Sequence, residues 1–237
     1  MFETLFRLSQ DELYDVLINE LKKAGYTDIK YQGERKYIAA HGSIPVLLIA
    51  HLDTVFEEEH KHYEKIQIFH DKEKGVMWSP DGLGADDRAG VAMILALLDN
   101  TNLRPHIIFT TNEETDADGA ITVAKSQPFK DISFIIELDR QGFNDAVYYK
   151  CANQEFEFFI DNFGFDTAYG TFTDISIICP AWGIAGVNLS VGYYMEHTYL
   201  EHFSVKAWVE TYKKVKKILE TKHEKTWEYI PKEYEKE

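Results

Sequence analysis

The chain has 237 residues, 45% of them hydrophobic and 14% aromatic, enough to bury a core as one large domain or two small ones. Its formal net charge of −15 argues against nucleic acid as a partner, because no lysine-rich stretch stands clear of acids. Cys151 and Cys179 are the only cysteines, too few for a disulfide framework and without the paired spacing of a thiolate zinc site, so both read as free thiols.

The opening "MFETLFRLSQDELYDVL" carries acids inside its apolar pattern, with no basic start or small-residue cleavage site. It reads as neither a signal peptide nor a membrane span, and a cytoplasmic location is the expectation. Ser9 is an N-cap candidate for a helix with Leu13, Val16, Leu17 and Leu21 on one face, ending near Gly25. Short β-like runs follow at 29–33, 36–42, 45–51, 65–71 and 75–80, separated by Gly, Pro and charged turns. The run "AGVAMILALL" at 89–98 is apolar on every side and predicts a buried helix. Next come a strand at 106–111, a short helix at 119–126 and an apolar strand at 132–138.

The second half repeats the alternation. A strand is expected at 146–150, a helix or long strand at 153–164, and a helix at 174–183 ended by Pro180 and Gly183. A strand at 184–194 and a long amphipathic helix at 200–222 complete the pattern, and the charged stretch 224–237 is expected to fray. Strands alternating with helices, several of them apolar throughout, predict an α/β fold. The expected form is a three-layer α-β-α sandwich with a mostly parallel mixed sheet, organised as a single domain over 1–237.

In open α/β sheets, ligands gather at the carboxyl ends of strands, so the polar residues after each apolar run matter most. After 45–50 come His51 and Asp53, two positions apart and on the same side of an extended chain. Asp86 and Asp87 open the buried helix, where the helix N-terminus favours negative charge. Glu113 and Glu114 follow the strand at 106–111, Asp139 follows 132–138, and Glu196 and His197 follow 184–194. Each piece alone is ordinary: a satisfied histidine, a helix cap, a loop acid. Converging on one edge they would repel one another unless divalent cations sat between them.

The ordered set "HLDTV", "GADDRAG", "NEE", "LD" and "EHTYLE", spread over residues 46–201, resembles the motifs of the co-catalytic zinc exopeptidases. That group holds bacterial leucyl aminopeptidases, peptidase T and the glutamate carboxypeptidases. The resemblance implies two zinc ions, with cobalt or manganese also accepted by such ligands. It places His51 on one ion with Asp53 orienting its imidazole, makes Asp86 the bridge between the ions, and implies a cis peptide between Asp86 and Asp87. Glu113 would be the general base and Glu114 a metal ligand beside His197. Asp139 would complete the ion held by His51, with Glu137 two positions earlier as a competitor. A water held between the ions would attack the scissile carbonyl as Glu113 takes its proton. One branch of the family inserts a lid domain between the ligands matched by Asp139 and His197. Only 58 positions separate them here, so a lidless form is expected.

The function implied is an exopeptidase, an aminopeptidase or dipeptidase acting on short peptides. Alternatives are an N-acyl-amino-acid deacylase or carboxypeptidase, a single-zinc glutaminyl cyclase, or a non-catalytic scaffold. The expected partners are a small peptide or acylated amino acid, with no nucleic acid and no membrane, and a homo-oligomer could cover the site in place of a lid. Arg140 is a candidate for a substrate carboxylate. Thr173, Asp174, Asn188 and Ser190 lie where the family builds its substrate pocket, and Tyr193 or Tyr194 could donate to an oxyanion or pack in the core. His60 and His62 read as solvated loop residues, Arg88 as a partner of its helix neighbours, and His41, His70, His106 and His202 have no assignable partner.

Overall fold

The computed structural model describes residues 1–31, 34–56 and 63–232. His60 and His62 therefore lie outside the described residues. After a short helix α1 (Phe2–Leu5), α2 (Gln10–Lys23) begins at the expected cap: Ser9 Oγ accepts from Glu12 N, and the Glu12 carboxylate accepts from Ser9 N, a reciprocal capping box. Strands β1 (Ile29–Tyr31), β2 (Tyr37–Ala40) and β3 (Ile44–His51) follow, then β4 (Phe69–Asp71) and β5 (Val76–Trp78). The buried helix is α3 (Ala85–Asn100), followed by β6 (Pro105–Thr110), α4 (Asp118–Ser126), β7 (Phe134–Arg140), β8 (Asp145–Val147) and α5 (Gln154–Asp161). The chain continues through β9 (Asp166–Ala168), α6 (Ile175–Trp182), β10 (Gly186–Ser190), β11 (Tyr193–Tyr194), β12 (His202–Ser204) and α7 (Val205–Glu220).

Eight strands form the main sheet in the order β1-β2-β6-β3-β7-β10-β8-β9. The central run β6-β3-β7-β10 is parallel, β8 pairs parallel with β9, and the remaining three pairings are antiparallel, so the sheet is mixed as expected. Alternation along the strands splits the core in two. Val46, Leu48 and Ala50 face α2, α3 and α7 in one cluster, while Leu47 and Ile49 face α4 and α6 in the other. The result is a three-layer sandwich. Between Asp139 and His197 the chain builds β8 to β11 and two covering helices, with no separate domain among the described residues. Among the described residues, no helix is long and apolar enough to cross a membrane.

The departures from the sequence reading have local causes. β4 and β5 form, but in a second, antiparallel sheet ordered β11-β12-β5-β4. The stretch read as one strand at 184–194 splits into β10 and β11 on different sheets, with the intervening Gly192 at φ 93°. The last helix begins only at Val205, because Ser204 Oγ accepts from Ala207 N and His202–Ser204 pairs with β5. Pro180 sits inside α6 rather than ending it, and the stop is Gly183 in the left-handed region.

The tail expected to fray is held as far as Lys232. Trp227 N donates to Ser133 O and Ala185 N donates to Trp227 O, while the indole stacks 5.4 Å from Phe159. Residues 233–237 lie outside the described chain. Trp227→Ala is expected to lower unfolding stability by about 2–4 kcal/mol through lost packing, read as a lower urea midpoint at unchanged slope. An unchanged midpoint would mean that the tail is not part of the cooperative core.

Candidate metal centre and active site

The sheet delivers the predicted residues to one edge. His51 is the last residue of β3, Asp139 stands near the end of the adjacent β7, and Glu113 and Glu114 follow β6 on its other side. Asp86 and Asp87 depart from helical φ/ψ within the first turn of α3, and the peptide between them is cis. Gly90 lets α3 approach β7: a Cβ there would meet Leu138 O at 2.0 Å. His197 follows β11, with φ 60°.

The Asp86 carboxylate lies between two groups. Its Oδ1 is 3.1 Å from His51 Nε2, and His51 Nε2 is 3.5 Å from Asp139 Oδ1. Its Oδ2 is 3.2 Å from His197 Nε2, which is 3.0 Å from Glu114 Oε2. Ligand atoms bound at zinc-like lengths around a tetrahedron sit about 3.3 Å apart, so both groups have the spacing of a metal site. His51, Asp86, Glu114 and Asp139 side chains are nearly sealed from solvent, whereas that of His197 is half exposed.

A supporting layer holds these donors. Asp53 accepts from Glu113 N at 3.0 Å and Glu114 N at 2.9 Å, and its Oδ1 lies 3.3 Å from His51 Nδ1. Tyr193 Oη donates to Asp139 Oδ1 and Thr173 Oγ1 donates to Asp139 Oδ2. Asn188 brackets the same residue through its backbone, accepting from Asp139 N and donating to Asp139 O. Glu201 receives Gly84 N at 2.6 Å and Asp86 N at 3.0 Å, pinning the turn that carries Asp86.

The contacts of the expected substrate group are these. Asn188 and Tyr193 brace Asp139, and Asp174 is fully buried, with Thr110 Oγ1 donating to its carboxylate. Arg140 lines the hollow over the cluster but faces Asp145 Oδ2 at 3.4 Å. Glu137, the competitor of Asp139, is buried in the sheet. Arg88 donates to Asp53 O and Leu8 O from a buried position. His41 and His106 gain a partner in Asp131, at 3.5 and 3.7 Å. Because His106 Nδ1 accepts from Gly42 N, the neutral ring carries its proton on Nε2, facing Asp131, with no lone pair there for an ion. Glu201 had no assigned role in the sequence, where the acid closing "EHTYLE" was the available signal; Thr173, expected in the substrate pocket, donates to Asp139.

Without cations, several of these groups are shifted from their ordinary values. Burial, then the charges of Asp139, Asp174 and Glu114, push Glu113 up to about 9 against the pull of His51. Hydrogen bonds to Asp86 and Glu114 raise His197 to about 11. His51 is raised well above its ordinary value: burial opposes its charge, but Asp139, Asp53 and Asp86 outweigh it. Burial would raise Asp53, yet His51 and the two backbone N–H donors lower it. Burial and the neighbouring Asp139 raise Asp87 well above the carboxylate range.

Residues 34–166, more than half of the chain, match the family described as peptidase family M28. The chain belongs to peptidase family M28. It is a peptide hydrolase by family. No curated protein sequence matches it. Among solved structures, it is similar to a tripeptidase from Staphylococcus aureus, with 16% identity and TM-score 0.72 over 92% of this chain and 95% of that one. It is also similar to the aminopeptidase PepT from Bacillus cereus, with 15% identity and TM-score 0.69 over 92% and 96%. A Zn-dependent exopeptidase from Parabacteroides distasonis matches at 16% identity and TM-score 0.60 over 88% of each chain. At these identities the likenesses establish the α/β fold.

The protonation pattern carries a sign. The raised His197 value means that its pairing stabilises the metal-free fold fully below pH of about 6.5 and that this contribution is lost as pH rises through about 11. Metal must displace those protons, so loading at pH 7 is expected to release at least two protons per chain, one from each histidine, with Glu113 adding a third as it ionises. Calorimetric titration with zinc in buffers of different ionisation enthalpy measures this. Binding without proton release would contradict the ligand assignment.

Proposed function

We propose that the chain is a di-metal exopeptidase, an aminopeptidase acting on short peptides, with zinc as the ion and Glu113 as general base. The observation that carries this reading is Asp86, whose two oxygens each face a separate histidine–carboxylate pair. His51 Nε2, Asp86 Oδ1 and Asp139 Oδ1 would hold one ion; His197 Nε2, Asp86 Oδ2 and Glu114 Oε2 would hold the other. Imidazole and carboxylate donors suit zinc, and accept cobalt or manganese. When bound, such a pair supplies Lewis acidity toward the scissile carbonyl and acidifies nearby water.

The protein's own groups do the rest. Glu113 lines the hollow over Asp86, Asp139 and His197. Cations beside it reverse the repulsion that raises it, making its carboxylate available near neutral pH. It then takes a proton from the attacking water on one carboxylate oxygen and returns it to the leaving nitrogen. Asp53 keeps Glu113 aligned through the backbone N–H it accepts, while Tyr193 and Thr173 fix the rotamer of Asp139.

The rim favours an amine over a carboxylate as the substrate's recognised terminus. Glu196 lies on the hollow and accepts a hydrogen bond from neutral Gln141 at 2.6 Å, with no ion pair among the described residues, leaving its charge available to a free α-ammonium. Arg140, the cation at the same rim, is already turned to Asp145. This balance supports aminopeptidase activity over N-acyl-amino-acid deacylation or carboxypeptidase activity. Two of the similar structures are a tripeptidase and an aminopeptidase, in keeping with short peptides as substrates. A cytoplasmic location fits the same reading.

Glu113→Gln is expected to keep its metal and lose roughly 10²–10⁴-fold in kcat on an aminoacyl anilide. Metal analysis alongside the kinetics checks it. A variant that retains full turnover would remove Glu113 from the reaction.

A further inference from the structure

Asn112, the residue before Glu113, stands in the left-handed region at φ 59°. Asparagine tolerates that backbone better than most residues, but it persists only where the surroundings over-determine it. Its carbonyl closes the turn that carries Glu113 and Glu114, accepting from Ala117 N at 2.7 Å. The residue on its other side is anchored beside β2: Thr111 N and Thr111 Oγ1 both donate to Lys36 O. Asn112 is therefore the pivot between a fixed strand end and the turn of acids.

The side chain that meets this pivot comes from the N-terminal segment. Gln10, the first residue of α2, accepts from Asn112 N through its Oε1 at 3.0 Å and donates from its Nε2 to Asn112 Oδ1 at 3.0 Å. The two bonds fix each other's sense: the backbone N–H requires the amide oxygen to face it, which leaves Nε2 for the Asn112 side chain. Three successive N–H groups are thus met by side-chain oxygens, Asn112 by Gln10, then Glu113 and Glu114 by Asp53. The two acceptors are tied together as well. Arg88 donates to Asp53 O and to Leu8 O, two residues before Gln10. The segment that presents Gln10 is docked on the core, since Phe2 and Phe6 lie 4.8 and 5.8 Å from the Phe203 ring.

We propose that Gln10 is a positioning residue for Glu113, acting through the backbone of Asn112. The proposal rests on the reading of Glu113 as general base. Asp53 fixes the two amides that follow the pivot, and Gln10 fixes the pivot itself. Without the Gln10 amide, Asn112 N–H turns to water and the residue relaxes toward an ordinary negative φ, which swings the main chain of Glu113. A proton acceptor must stay within hydrogen-bond reach of the water it serves, so a small displacement costs rate rather than substrate affinity.

The experiment compares wild type, Gln10→Ala, Gln10→Glu and Glu113→Gln, each loaded with zinc, for kcat and KM on a leucyl anilide, with zinc content measured alongside. Gln10→Ala is expected to lose about 10–100-fold in kcat with KM within about two-fold of wild type and zinc content unchanged. Gln10→Glu still offers an oxygen to Asn112 N, and the Asn112 amide can turn its Nδ2 to the other oxygen, so this variant should recover most of the loss. Amide hydrogen exchange followed by NMR on the metal-free protein gives a readout without turnover. The Asn112, Glu113 and Glu114 amides should exchange at least about tenfold faster in Gln10→Ala than in wild type, with the amides of α3 unchanged.

Wild-type kcat in Gln10→Ala beside an impaired Glu113→Gln would overturn the proposal and leave the general-base reading standing. So would a loss that falls on KM or on zinc content, or a Gln10→Glu as impaired as Gln10→Ala, since either makes the residue a packing element only. If Gln10→Ala fails to fold, exchange in the wild type decides: protection at Asn112 is expected, and an Asn112 amide that exchanges as freely as an open loop overturns the proposal. Full turnover in Glu113→Gln would sink the general-base reading and the proposal with it.

Discussion

The constraint on which this structure depends is the convergence of carboxylates at the carboxyl ends of parallel strands. Asp86, Glu113 and Asp139 line one small hollow, Glu114 lies against His197 beside it, and the imidazoles of His51 and His197 pair with these carboxylates. Such a cluster is unfavourable as bare anions: burial and mutual repulsion drive Glu113 up to about 9. Protons relieve it in the metal-free chain. Two divalent cations would relieve it better, because each can be shared by an imidazole and two carboxylate oxygens at the spacings observed.

The fold spends much of its polar chemistry on holding that arrangement. Asp53 joins the ends of β3 and β6, since it faces His51 and receives both backbone N–H groups of the Glu113–Glu114 turn. Asn188 on β10 does the same for the end of β7 by bracketing Asp139. Glu201 reaches from the turn before β12 to the turn opening α3, so the second sheet contributes to positioning Asp86. Each contact ties two different strands or loops to one donor. Metal ligands depend on such outer contacts for orientation nearly as much as on their own identity.

Much of this was legible in the sequence because the donors sit at fixed offsets from strongly apolar runs. His51, Glu113, Glu114 and Asp139 follow strands whose burial is nearly complete, and Asp86 precedes a helix that is apolar on all sides. The N-cap at Ser9 and the three-layer sandwich were readable for the same reason: local pattern and tertiary packing agree there. The rest depended on partners distant in sequence. Nothing local in "KIQIF" or "GVMWS" assigns them to a second sheet, and only Gly192 hints that 184–194 turns from one sheet to the other. The roles of Asn188, Tyr193 and Asp174 required knowing which strands are neighbours. Trp227 sits in a charged stretch whose composition suggests fraying, yet one indole against Phe156 and Phe159 anchors it.

The most direct test of the central claim is anomalous diffraction at the zinc edge from crystals of the zinc-loaded protein. The account predicts two peaks about 3.5–4 Å apart, one on each side of the Asp86 carboxylate, near His51 and His197 respectively. A single peak, or zinc bound away from Asp86, would contradict it.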